Sequence, residues 1–168
     1  QEMTEAIRAA LNNLVSEVTA EVGESAHKVV ELTLVANPVM HHIFLGISPV
    51  ELGGAPFALA TDSALDLAAA DLGLNLNTGA RVYVLPCIAG HVGADTAGVI
   101  LSEEPYQRQD MTLLVDVGTN AEIVLGNSTR LLACSSPTGP AFEGAQISCG
   151  QRAAVGAIER VRIDPVSM

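Results

Sequence analysis

Tryptophan is absent, and aromatic residues make up only 3% of the 168 positions. A core must therefore be assembled from Ala, Val, Leu and Ile. Basic residues are scarce too: Lys plus Arg number 8 against 19 Asp plus Glu, a net charge of −11. A surface this acidic repels phosphate backbones and anionic lipid, which excludes nucleic-acid binding and membrane-surface docking. The single lysine is Lys28, and the segment GESAHK at 23–28 lacks the second glycine and the following Ser or Thr of a P-loop. No run reaches the roughly eighteen apolar residues of a membrane span. The opening residues lack the pattern of a signal peptide, so none is expected. Cysteine occurs three times, at Cys87, Cys134 and Cys149, without a CxxC pair. That spacing indicates neither a zinc site nor a disulfide framework. Three small buried residues in a reducing cytoplasm are expected instead. Residue 1 is Gln rather than Met, so a piece of a longer cytoplasmic protein is expected.

What is present is a folding sequence, 49% hydrophobic and 16% charged, long enough for one domain spanning 1–168. Met3, Ile7, Leu11, Val15, Val18 and Val22 recur at helical spacing and predict a helix over 2–22, stopped by Gly23. The run KVVELTLVA at 28–36 reads as a buried strand. Asn37-Pro38 supplies an N-cap and a first-turn proline for a short helix at 39–45 that Gly46 ends. Residues 47–62 read as irregular, 63–72 as an Ala/Leu-rich helix, and 81–85 as a strand ended by Pro86. Gly90 to Asp95 leads into a helix through Leu101, and 102–110 read as polar and mobile. Strands at 112–116, 121–125 and 130–133 form a β-meander. Residues 135–140 read as a loop, 141–149 as a helical turn and 157–163 as a last strand. The sum is α/β, helices packed on a mixed sheet.

The sharpest local feature is LLVDVGTNAE at 113–122. An apolar strand drives Asp116 to its tip, and the turn holds a glycine that permits close approach by a ligand. Amides at Gly118, Thr119 and Asn120 form a potential anion cradle, with the Thr119 hydroxyl as a further donor. Asp116 does not face a phosphate comfortably; it suits a Mg²⁺ ion, held directly or through water. The plain alternative is an ordinary hairpin. Three other features sit at predicted strand ends: Asn37-Pro38, the segment from Gly90 through Gly93 to Asp95, and Ser135, Ser136 and Gly139. Strand ends meeting at one sheet edge are where α/β folds bind ligands.

The runs LLVDVGTNAEIVLGN and LLACSSPTGPAFEGAQISCGQRAAVGAIE resemble the carboxy-terminal region of the reductive activators of corrinoid proteins. The segments ANPVMHHIFLG, APF and LPCIAGHVGAD resemble the same family in the same order, so the likeness covers roughly 30–163. The resemblance implies an actin-like ATPase part, one of the acetate and sugar kinase, heat-shock chaperone and actin superfamily, with ribonuclease-H-like halves. It implies a [2Fe–2S] cluster outside this segment and an electron delivered to the Co(II) corrinoid of a methyltransferase partner at the cost of ATP. Asp116 would position Mg²⁺. Gly118, Thr119 and Asn120 would bind phosphates of Mg-ATP, with Glu122 also at the cofactor site. Ser135, Ser136 and Gly139 would line the cleft, with Gly90, Gly93, Asp95 and Asn37 beside it.

The departures from the family pattern are specific. No second D-x-G-T occurs, the four cluster cysteines are missing, and Ala121 stands where glycine is usual. The stretches NPVM at 37–40 and SSPT at 135–138 are variants. The resemblance therefore implies the second half of the ATPase region, contributing half of a phosphate site and inactive alone.

Two rival readings are a non-catalytic dimerisation or docking module and one half of an aspartic protease. The latter needs paired Asp residues. It fits poorly with Val117 after the Asp and with so helical a chain. His41 and His42 are adjacent on a helix and point about 100° apart, which favours packing over shared metal ligation. His91, in the glycine-rich junction, is the better site candidate, and Asp95 either caps the helix after Gly93 or reaches the cleft.

Overall fold

Ile7, Leu11 and Val15 are spaced one helical turn apart. In a computed structural model they form the inner stripe of helix α1 (Glu2–Glu21). The structure describes residues 1–118 and 120–138, with Val155 and Arg162. The α1 stripe packs on a cluster of Phe44, Ala69, Leu72, Leu74, Leu76, Ala80, Val82 and Val84. Polar side chains fix the helix in place. The Arg8 guanidinium donates from Nε and Nη2 to the Phe44 carbonyl, at 3.0 and 2.8 Å. Asn12 donates to the Gly73 carbonyl and accepts from the Asn75 amide.

The cluster sits on a three-stranded sheet of β1 (Glu31–Leu34), β2 (Leu65–Ala68) and β3 (Arg81–Val84), with β3 central. β1 runs parallel to β3 and β2 antiparallel. β3 alternates exposed and buried residues, so Val82 and Val84 reach the core. Helix α2 (Pro38–Leu45) begins and ends as its sequence dictates. Asn37 accepts from the Met40 amide, Pro38 occupies the first turn, and Gly46 ends the helix at φ 80°. Helix α3 (Ala94–Glu103) follows, with a second small cluster of Leu85, Cys87, Ala94 and Ala97 at its start.

The last described third is an antiparallel meander of β4 (Thr112–Val117), β5 (Asn120–Gly126) and β6 (Leu131–Pro137). Its far turn is tied to the preceding segment: Ser128 donates to the Arg108 carbonyl and Asn127 to that of Gln109. The architecture is thus mixed α/β, with three helices and two separate three-stranded sheets among the described residues. Among them no helix is long and apolar enough to cross a membrane.

Several expectations are corrected. Residues 63–72 are not a helix but β2 followed by a 3₁₀ turn at Ala69–Leu72. Helix propensity in an Ala/Leu-rich run is a weak preference that pairing overrides. Here β2 lies against β3, and Arg81 Nε meets Asp66 Oδ1 at 2.9 Å diagonally across the pair. The strand expected over 28–36 is confined to β1. Residues 102–110 hold the end of α3 and a 3₁₀ turn at Pro105–Gln107 with Pro105 buried. The expected loop at 135–140 begins later, because β6 runs on to Pro137; a proline is tolerated at the end of an edge strand. The helical turn at 141–149 and the strand at 157–163 lie outside the described residues.

Candidate functional site

Strand alternation sorts the side chains around the β4–β5 hairpin. Asp116 pairs with Glu122, Glu122 with Ser135, and Asn120 with Pro137. Asp116, Asn120, Glu122 and Ser135 therefore share one face near the hairpin tip. Ser136 pairs with Ala121 and belongs to the other face, where Leu113, Val115, Val117 and Leu132 are exposed. Asp116 is exposed, and its carboxylate has no hydrogen bond or ion pair among the described residues. Two carboxylates facing each other across a strand pair repel. Glu122 is half-buried, and its Oε1 accepts from the Ser135 hydroxyl at 2.9 Å, which leaves Asp116 as the open carboxylate.

Gly118 is held at both backbone ends. Its amide donates to the Asn120 carbonyl at 2.8 Å, and its carbonyl accepts from the Thr138 hydroxyl at 3.0 Å. The Gly118 amide is thus turned into the hairpin rather than outward into a cradle. Yet nothing described in the chain demands glycine there: a Cβ would sit 3.4 Å from the Asn120 oxygen, an ordinary contact. Among the described residues nothing else lies within 4 Å of that position. Thr119 and Gly139 lie outside the described residues. Thr138 was not singled out by sequence, because a Thr in an SSPTGP run carries no signal for which backbone atom its hydroxyl meets.

The other candidate residues gather at the carboxyl end of β1. Ala94 and Asp95 amides donate to the Ala36 carbonyl, and the Asp95 carboxylate accepts from the Thr96 amide at 2.8 Å. Asp95 therefore serves the first turn of α3. Asn37 is engaged as the N-cap of α2. A Cβ at Gly93 would lie 2.8 Å from Pro38 Cδ, and one at Gly90 would overlap the Phe57 carbonyl. These two glycines are required by the packing of this chain. Among the described residues their hydrogen bonds and contacts stay at this junction, and those of Gly118, Glu122 and Ser135 stay within the meander and the Thr138 that follows it.

His91 packs against Phe57 with the rings tilted by 56° and their centroids 4.2 Å apart, and Phe57 itself adopts a positive φ of 57°. His41 and His42 are buried. The Ala60 amide donates to His42 Nε2 at 3.0 Å, so the proton sits on Nδ1, which donates to the Pro38 carbonyl at 2.9 Å. Among the described residues neither ring nitrogen of His41 makes a hydrogen bond of good geometry. Burial, reinforced by the neighbouring His42 and partly opposed by the Leu85 backbone, holds its imidazole below the usual range. Burial likewise pushes the Cys87 thiol up, with Asp95 adding to the rise and a hydrogen bond from the Ala94 backbone opposing it. Cys134 is exposed. Among the described residues no three His, Cys, Asp or Glu side chains gather to hold a metal ion.

The comparisons with known proteins divide the chain between the two sheets. Residues 1–108 match the family model of the RACo middle region, and residues 110–168 that of the C-terminal domain of RACo, the ASKHA domain. The corrinoid activation enzyme RamQ of Eubacterium limosum is 36% identical over 157 residues, covering 94% of this chain and 26% of that protein. The Co(II) methylated amine-specific corrinoid protein reductase of Methanosarcina barkeri is 37% identical over 78 residues, covering 46% and 14%. A solved structure of a reductive activator for corrinoid, iron-sulfur protein superposes with a TM-score of 0.75 at 34% identity, over 95% of this chain and 26% of that one. The chain thus spans about a quarter of the length of the first of these relatives.

Proposed function

The chain belongs to the RACo family, the reductive activators of corrinoid proteins, and from that premise we propose that it is a section of an ATP-dependent activator whose Asp116 hairpin supplies half of a Mg-ATP site. The observation that carries this reading is the hairpin tip itself. An exposed carboxylate with no partner among the described residues stands close to a glycine that the described part of the fold does not require.

The chemistry of the tip suits a magnesium-bound phosphate tail. Asp116 offers a hard oxygen ligand, to the ion directly or through one of its waters. A cation there would also relieve the repulsion between Asp116 and Glu122, which face each other on one side of the strand pair. Ser135 keeps Glu122 turned to the β6 side by donating to its Oε1. Gly118 presents no side chain to an approaching phosphate. On a chain of net charge −11, a bare triphosphate would be repelled, so the metal ion is part of what is recognised.

Hydrolysis of ATP held there would help to drive the unfavourable reduction of a Co(II) corrinoid on a methyltransferase partner. The [2Fe–2S] cluster does not fit this segment. Cys87 is buried in the small cluster at the start of α3, Cys134 is exposed on the meander, and a cluster needs four thiolates. Its electron would come from elsewhere in the protein, which we place in the cytoplasm.

Titration of the full-length protein with Mg-ATP tests the reading. Asp116→Ala is expected to abolish measurable binding, or to weaken it at least about 10-fold, corresponding to the loss of a charge-assisted contact. Wild-type affinity in that variant would remove the site.

A further inference from the structure

We propose that Thr138 is a positioning residue for the nucleotide hairpin, acting through Gly118; the inference rests on the Mg-ATP reading of that hairpin. Thr138 follows the last residue of β6, and register sets Pro137 opposite Asn120. That places the Thr138 hydroxyl beside the tip, where it donates to the Gly118 carbonyl at 3.0 Å.

The arrangement matters because Gly118 is otherwise the loosest kind of residue at the most exposed kind of place. A glycine samples far more backbone conformations than any other residue. A Cβ built on Gly118 would approach only one described atom within 4 Å, the Asn120 oxygen, so packing does little to restrain it. Its amide bond to the Asn120 carbonyl fixes one peptide plane. The Thr138 hydroxyl fixes the other, since carbonyl and plane turn together. With both planes held, Gly118 is set before any ligand arrives, and a phosphate binds without ordering that residue. The β6 strand thereby links the start of the segment after the meander to the turn that would grip phosphate.

Thr138→Val removes the donor and keeps the shape, and Thr138→Ser keeps the donor. Both are made in the full-length protein, with Asp116→Ala alongside. Mg-ATP affinity is measured by calorimetry and nucleotide-free stability by thermal melting. Loss of one neutral hydrogen bond corresponds to roughly 3–10-fold in affinity. The expected result is a loss of that size in Thr138→Val, restored in Thr138→Ser, with the nucleotide-free melting temperature unchanged. Wild-type affinity in Thr138→Val, while Asp116→Ala loses binding, overturns the positioning role and leaves the hairpin's function standing. A nucleotide-free melting temperature that falls in Thr138→Val and is restored in Thr138→Ser, with no matching loss of Mg-ATP affinity, makes the contact merely structural and also overturns it. Undiminished binding in Asp116→Ala defeats the underlying Mg-ATP reading itself.

Discussion

Replacing glycines one at a time separates the demands of the fold from those of a ligand. At Gly118 the backbone is not in the left-handed region, and an added Cβ meets only the Asn120 oxygen at 3.4 Å. Alanine there restricts the unfolded chain without straining the folded one, a gain of about 0.4–1 kcal/mol. For a chain of this size that is an increase of about 1–4 °C in melting temperature. Gly126 is the contrast. Its φ is 156°, and a Cβ would overlap the Arg130 carbonyl oxygen. Alanine there forces a strained backbone worth about 1–3 kcal/mol, a fall of about 2–12 °C. The two variants should part in the opposite sense when Mg-ATP is added. Gly118→Ala is expected to lose nucleotide affinity at least about 10-fold, because its methyl group fills space kept for phosphate. Gly126→Ala is expected to bind normally at temperatures where it remains folded. Thermal melting and calorimetry on the same samples read both effects. If Gly118→Ala melts as low as Gly126→Ala, the glycine serves the fold. If it binds Mg-ATP like wild type, the space at the tip is not a ligand's.

Two further outcomes follow from the buried titratable groups. The folded-state pKa of His41 lies below its unfolded value of about 6.5, so the unfolded state takes up the proton first. Stability is therefore full above about pH 6.5 and declines as pH falls toward the folded pKa, by at most about 1.4 kcal/mol per pH unit for this group. Melting temperatures between pH 8 and 5 should show a slope that flattens in His41→Leu, and an equal slope in both proteins would refute the assignment. Maleimide labelling at neutral pH should modify exposed Cys134 rapidly and buried Cys87 only on unfolding, read by peptide mass spectrometry. Equal labelling rates would show that the start of α3 is open.

Much of this was readable where local chemistry decides structure. Asn37, Pro38 and Gly46 bound α2 by capping alone, and the apolar strand ending in Asp116 with a glycine turn specified the hairpin. Prediction failed where partners decide. The segment 63–72 has helical composition, but β3 offered it a pairing edge and Arg81 a counter-charge for Asp66. Ser135 and Ser136 looked equivalent as neighbours in a loop. Once β6 extends through them they point to opposite faces, and only Ser135 joins Asp116. Gly90 and Gly93 were grouped with Gly118 as shapers of a cleft. Contacts divide them: the first two are packed against Phe57 and Pro38, and Gly118 meets only the Asn120 oxygen among the described residues. Sequence alone does not say which glycine a fold needs and which a ligand needs.

The most direct measurement is a crystal structure of the full-length protein with magnesium and a non-hydrolysable ATP analogue. Asp116 is expected to contact the metal at about 2.1 Å or through a single coordinated water, with a phosphate oxygen lying against Gly118. A nucleotide bound with its metal remote from the β4–β5 hairpin, leaving Asp116 in bulk solvent, would contradict the proposed role of that hairpin.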